Sequence, residues 1–103
     1  MAIRNVVTFE EQTGITTQSD DCLINPAKEV TVSAHLTGGT PSTGAMLQIT
    51  LDDIEKIKSG TALWFNSPMG SRIASGAEKL MRPVTGVRLK VTDGTWSLHV
   101  RQQ

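Results

Sequence analysis

Val87-Arg88-Leu89-Lys90-Val91-Thr92-Asp93-Gly94-Thr95-Trp96-Ser97-Leu98-His99-Val100-Arg101 joins two runs of alternating apolar and polar residues at an Asp-Gly dipeptide. Period-2 alternation marks strands with one buried and one wet face, and Asp-Gly between two such runs is a strong local signal for a hairpin with a type I′ turn. With Asp93 and Gly94 at the turn, Val91 faces Trp96, Leu89 faces Leu98 and Val87 faces Val100. All the apolar side chains then share one face, and a one-residue slip would mix the two faces. This reading predicts Trp96 as a core residue packed across the hairpin from Val91. It also gathers Arg88, Lys90, His99 and Arg101 on the opposite face as a basic ribbon.

Working back from the hairpin, the same periodicity recurs. Val30, Val32, Ala34 and Leu36 alternate with Thr31, Ser33, His35 and Thr37, and Ala45, Leu47, Ile49 and Leu51 alternate with Met46, Gln48 and Thr50. A Gly/Ser/Thr loop over 38–44 joins them, so they are expected as antiparallel neighbours. Residues 3–9 form a first strand with Ile3, Val7 and Phe9 on one side, and 15–24 form a weaker extended segment ended by Asn25-Pro26. Thr50 with Asp53 fits a capping box, and Leu51, Ile54 and Ile57 have helical spacing, which favours a short helix over 51–58 ended by Ser59-Gly60. Thr61–Phe65 returns to strand and Ser67-Pro68-Met69-Gly70 stops it. Ser75 with Glu78 offers a second cap for one helical turn through Met81, before Pro83. The expected fold is all-β: one small sandwich or barrel of about six or seven antiparallel strands, with at most one or two short helical turns. Residues 1–14 are expected as an N-terminal arm, hinged at Glu10-Glu11-Gln12-Thr13-Gly14, and residues 15–103 as the β domain.

With 103 residues, 38% of them hydrophobic, the chain suits one domain with one core. Ten basic and ten acidic residues leave no formal net charge, so there is no general attraction to nucleic acid or anionic lipid. A single cysteine, Cys22, makes no intramolecular disulfide and reads as a small buried hydrophobe. The start has no apolar run of signal-peptide type, and the longest apolar run, Ala62-Leu63-Trp64-Phe65, is far shorter than the roughly 20 residues of a membrane helix.

Motifs for chemistry are near misses. Gly39-Thr40-Pro41-Ser42-Thr43-Gly44 has phosphate-loop glycine spacing, but Ala45-Met46 stands where Lys-Ser/Thr is needed, and the loop joins strand to strand. No Gly-x-Ser-x-Gly is present, and the acid pairs Glu10-Glu11, Asp20-Asp21 and Asp52-Asp53 point to opposite faces if they lie on strands. One cysteine and two distant histidines give no zinc spacing. No enzymatic role, no cofactor and no metal are therefore expected. The candidate partner-contact residues are the basic set Arg88, Lys90, His99 and Arg101, which equally reads as charge that keeps an exterior sheet face soluble, together with the adjacent aromatics Trp64 and Phe65, of which a strand would turn one outward and a bulge would bury both.

Over residues 29–103 the chain resembles the small β-sandwich structural proteins of tailed bacteriophages. The likeness lies in Val30-Thr31-Val32-Ser33-Ala34-His35-Leu36, the Gly/Ser/Thr loop, Gly44-Ala45-Met46-Leu47-Gln48-Ile49, the tryptophan segment Ala62-Leu63-Trp64-Phe65-Asn66-Ser67, and Pro83-Val84-Thr85-Gly86-Val87-Arg88-Leu89-Lys90-Val91-Thr92. Leu51-Asp52-Asp53-Ile54-Glu55-Lys56-Ile57 departs from it, standing where such proteins have a strand and turn resembling Ser-Asn-Asp-Gly. The resemblance implies a non-enzymatic virion protein made in the host cytoplasm. Such a protein would be a capsid decoration or cement subunit working as a homo-oligomer on the major capsid protein or other virion subunits. A tail or fibre component, or a module for a host-surface ligand, is the alternative. A third reading is a small nucleic-acid-binding β domain using the basic ribbon, with steep salt dependence. No membrane partner is expected.

Overall fold

The computed structural model describes residues 3–80 and 84–102, without the side chains of 68–72 and 78–80. Among the described residues nine strands and one helix follow in order: β1 (Ile3–Asn5), β2 (Phe9–Ile15), β3 (Asp21–Leu23), β4 (Val30–Gly38), β5 (Ala45–Thr50), α1 (Ile54–Ser59), β6 (Phe65–Arg72), β7 (Gly76–Leu80), β8 (Gly86–Val91) and β9 (Thr95–Gln102). They form two sheets with orders β1-β3-β8-β5-β6 and β2-β9-β4-β7. The all-β sandwich is as expected. It has more strands than expected, and one pair, β1 with β3, is parallel.

The topology has a simple rule. β2 pairs with β9, β3 with β8, β4 with β7 and β5 with β6, all antiparallel. The chain from β2 to β9 is thus one long antiparallel ribbon folded at the β5–β6 turn and rolled into two sheets, which is a jelly roll. β1 adds an outer strand beside β3. Rolling sends successive strands of each arm of the ribbon to opposite sheets, and this overturns two expectations at once. β4 and β5 are not neighbours, since β4 lies between β9 and β7, and β5 between β8 and β6. Likewise β8 and β9 do not form a hairpin: β8 pairs with β3 and β5, β9 with β2 and β4. Val87, Leu89 and Val91 still face the same core as Trp96, Leu98 and Val100, but across the sandwich. Alternation is satisfied equally by one face of one sheet and by two facing sheets.

Asp93-Gly94 is accordingly a corner between sheets. Type I′ needs positive φ at both central residues, and only Gly94 has it, at 84°. The Asp93 carboxylate instead accepts backbone N–H bonds from Ser42 (2.8 Å), Thr43 (3.2 Å) and Gly44, and the Ser42 hydroxyl donates to it at 3.2 Å. The loop with phosphate-loop glycine spacing does bind an anion through its amides, and that anion is the chain's own Asp93. The two corners, 39–44 and 92–94, are further joined by the Thr92 N–H donating to Gly44 O at 2.8 Å. These N–H bonds, Gly44 first and then Ser42, hold the Asp93 carboxyl below its ordinary value of 3.8. A depressed folded-state value means stability that is fully present above about pH 4 and lost as pH falls through the lower folded value. Asp93→Ala should therefore lower the melting temperature at neutral pH, with a gap to wild type that narrows on acidification below 3.8. A gap independent of pH would show that the carboxylate charge does not hold the corners.

Residues 3–15 are built into both sheets. β1 flanks β3, and β2, including most of the expected hinge, runs along β9 from Phe9↔Arg101 to Ile15↔Trp96. Val6 is buried between the two strands, whereas Val7 is 71% exposed, so the side expected to carry Ile3, Val7 and Phe9 is not the core side. The expected arm thus supplies paired strands. The stop at 67–70 and the helical turn from Ser75 are corrected too, because β6 runs through the first and β7 occupies 76–80, residue 81 lying outside the described residues. An irregular register between Met46 and Gln48 absorbs the intervening residues of β6.

The helix is shorter than expected. It begins at Ile54 after Asp53, whose side chain makes no cap bond, and ends at Gly60 in the left-handed conformation (φ 77°). Thr50 is not its cap: the Thr50 hydroxyl donates to Leu63 O (2.8 Å) and accepts from Asp52 N (3.2 Å), tying both sides of the helical excursion to the end of β5. Ile57 is buried outside the main core.

Candidate interaction surfaces

Inward positions of β8, namely Val87, Leu89 and Val91, leave Gly86, Arg88 and Lys90 on the outer face of the β8 sheet. That face is partly covered. A Cβ on Gly86 would lie 3.0 Å from Ile57 Cδ1, 3.1 Å from Thr50 Cγ2 and 3.2 Å from the Trp64 ring, so α1 and Trp64 fold back onto the sheet there. Trp64 is half-buried and the Arg88 guanidinium lies over it, 4.2 Å from the ring centroid. Arg88 also donates from Nε to Gln48 Oε1 at 2.8 Å and lies 4.0 Å from Asp21. Burial lowers the Arg88 pKa, while Asp21 opposes that shift. Phe65, next along the chain, is 56% exposed. Of the two adjacent aromatics, Trp64 is structural and Phe65 faces outward. Gly86→Val should push α1 and Trp64 off the sheet at a cost of about 1–3 kcal/mol. Faster amide exchange confined to 54–64 would show it, and an unchanged exchange pattern would refute it.

His99 and Arg101 lie on the outer face of the other sheet, on the far side of the molecule from Arg88 and Lys90. The expected basic ribbon does not exist, because β8 and β9 belong to different sheets. What the structure assembles around His99 and Arg101 is different. Pairing of β2 with β9 brings Phe9 beside Arg101, whose guanidinium lies 4.7 Å from the ring centroid, and sets Phe9 edge-on to His99 at 5.8 Å. His99 Nε2 is 3.2 Å from Glu11 Oε2, and the His99 and His35 rings lie 4.4 Å apart. His35 Nε2 shares a 2.9 Å hydrogen bond with the Ser33 hydroxyl. Phe9 remains 41% exposed. Sequence reading missed Phe9, Glu11 and His35 as members of this cluster. Their strands meet β9 only through pairings some 60 to 90 residues apart in the chain, for which no local pattern exists.

Cys22 is wholly buried, and burial pushes its thiol up to about 12, with the Gln12 hydrogen bond opposing; it is not a reactive thiol. An open polar cleft of about 490 Å³ lies between Arg4 and the 11–20 stretch, where Arg4 bridges Glu10 (2.6 Å) and Asp20 (3.0 Å). Among the described residues no three His, Cys, Asp or Glu side chains converge as a metal site, and no helix is long and apolar enough to cross a membrane.

Frame and surfaces together define a small jelly-roll domain with exposed aromatic side chains on the outer face of one sheet (Phe9) and at the β6 edge of the other (Phe65). No protein-family model matches the sequence, and no curated protein matches it. Among solved structures, one similar chain comes from work titled "Bacillus endospore appendages form a novel family of disulfide-linked pili", at 16% identity and a TM-score of 0.39, over 92% of this chain and 82% of that one.

Proposed function

We propose that this chain is a non-enzymatic structural subunit of a phage particle, most specifically a decoration protein that binds the capsid lattice. The observation that carries the reading is the placement of exposed aromatic groups at two separate places on one sandwich: Phe9 with Arg101 and His99 on the outer face of the β9 sheet, Phe65 at the β6 edge of the other sheet. A subunit that joins copies or bridges neighbours in a lattice needs contact groups on more than one face, whereas an enzyme or single-ligand module needs one concave site. The sequence resemblance supplies the virion as the setting, and the fold on its own supplies no function. The nucleic-acid reading loses its basis, because its four basic residues are divided between two faces.

Mass spectrometry of purified virions tests the setting, and capsid occupancy of variants tests the surface. Phe9→Ala should reduce occupancy more than Lys90→Ala, since a central aromatic anchor outweighs a rim charge. Absence from virions removes the reading altogether. Detection only with tail or fibre proteins moves the subunit to the tail, and salt-sensitive binding of the wild type to nucleic acid would overturn the lattice role.

A further inference from the structure

We infer that the α1 unit, residues 51–65, is the contact through which two copies of this chain pair about a two-fold axis. The inference deepens the structural-subunit reading by naming a second copy as the partner of one face. Large hydrophobic side chains exposed among the described residues are few, and four of them, Leu51, Ile54, Leu63 and Phe65, fall in this one unit, at 54%, 36%, 68% and 56% exposure. Hydrogen bonds hold the unit together: Leu63 N donates to Asp52 Oδ2 at 2.7 Å, and Thr61 N and Ala62 N donate to Lys56 O at 2.9 and 3.2 Å. Exposure alternates from Thr61 to Phe65, so Leu63 and Phe65 face out while Trp64 anchors the unit to the sheet. The apolar groups are therefore presented by a braced element, as an interface requires.

Charge selects the occupant. Asp53 and Glu55 stand at the start of α1, and Lys56 and Lys58 follow in its last turn. Asp53 to Lys58 spans about 8 Å along the helix. None of these four side chains makes a hydrogen bond or ion pair with another described residue, so the charges are not used within the chain. A two-fold axis reverses the direction of the unit in the partner, which sets the acidic end of one copy against the basic end of the other. The apolar groups then meet at the centre. A uniformly acidic or basic partner would match only half of this surface.

The test is the oligomeric state of the full chain in free solution, followed by sedimentation across a concentration series. Wild type should dimerise. Lys56→Glu/Lys58→Glu and Asp53→Lys/Glu55→Lys should each weaken self-association about tenfold or more. An equimolar mixture of the two should recover association, because each copy then carries the complement of the other. Leu63→Ser/Phe65→Ser should be monomeric, with a circular dichroism spectrum matching wild type. A wild type that stays monomeric overturns the inference, as does a dimer insensitive to these substitutions or a charge-swapped mixture that fails to associate. Since no capsid is present, these outcomes are independent of the occupancy experiment.

Discussion

Trp96→Ala is expected to destabilise the fold by about 3–5 kcal/mol, a large share of the roughly 5–15 kcal/mol typical of such a domain. Trp96 has no exposed surface. In register it lies between Leu36 of β4 and Ile15 of β2, so it stands on the core side of an inner strand, at the end of the sheet next to the corner. Its indole N–H donates to Asp93 O at 3.0 Å, which fastens the same corner whose carboxylate holds the 42–44 loop. Truncation removes the largest core side chain, leaves a cavity between two packed sheets and frees a carbonyl at the corner. Trp96→Phe separates these effects, since it keeps most of the ring volume and loses only the N–H bond. It should cost appreciably less than the alanine change. Denaturant midpoints at constant slope give both values, and a midpoint for Trp96→Ala within error of wild type would place the ring outside the core.

The burial of Trp96 was legible in the sequence, but its neighbours were not. Period-2 alternation fixes which residues of a strand face the core, so Val87, Leu89, Val91, Leu98 and Val100 could be assigned inward from the pattern alone. It does not fix which strand lies alongside, and turn chemistry was the only local guide to that. The guide failed at Asp93-Gly94 for a physical reason: the Asp93 carboxylate finds three amides on another loop, and that tertiary cluster outweighs the local turn preference. The same pairing decides the basic residues: β8 and β9 as neighbours would put Arg88, Lys90, His99 and Arg101 on one face, whereas the two sheets divide them. At α1 the helical spacing was legible, while the intended cap was not, because the Thr50 hydroxyl bonds to Leu63 O and Asp52 N.

Replacing both Gln12 and Gln102 by leucine is expected to cost about 3–5 kcal/mol, from about 2 kcal/mol at each site. Nothing in the sequence sets these glutamines apart, yet both are buried, at 6% and 3% exposure. Each makes the pair of bonds that a strand would make. The Gln12 amide accepts from Asp20 N at 2.8 Å and donates to Asp20 O at 3.3 Å. The Gln102 amide accepts from Asn25 N and donates to Asn25 O, both at 2.9 Å. Asp20 and Asn25 flank β3, which belongs to the opposite sheet, so two side chains from β2 and β9 stitch the ends of β3 across the sandwich. Leucine fills comparable volume and adds apolar burial, but it leaves the Asp20 and Asn25 N–H groups without those partners, while the two carbonyls each keep a donor, the Ser19 hydroxyl at 3.1 Å on Asp20 O and the Lys28 N–H at 3.1 Å on Asn25 O. Partial exposure of Asp20 and Asn25 lets water recover some of those bonds, which keeps each single change near 2 kcal/mol. The two sites lie at opposite ends of a strand and share no partner, so their effects should add. Hydrogen exchange at the amides of Asp20 and Asn25 is the direct readout, since each should exchange faster only in the variant that removes its own glutamine. Retained protection of both amides in the double variant, or a double cost no larger than either single one, would show that β3 is held to the opposite sheet by other contacts.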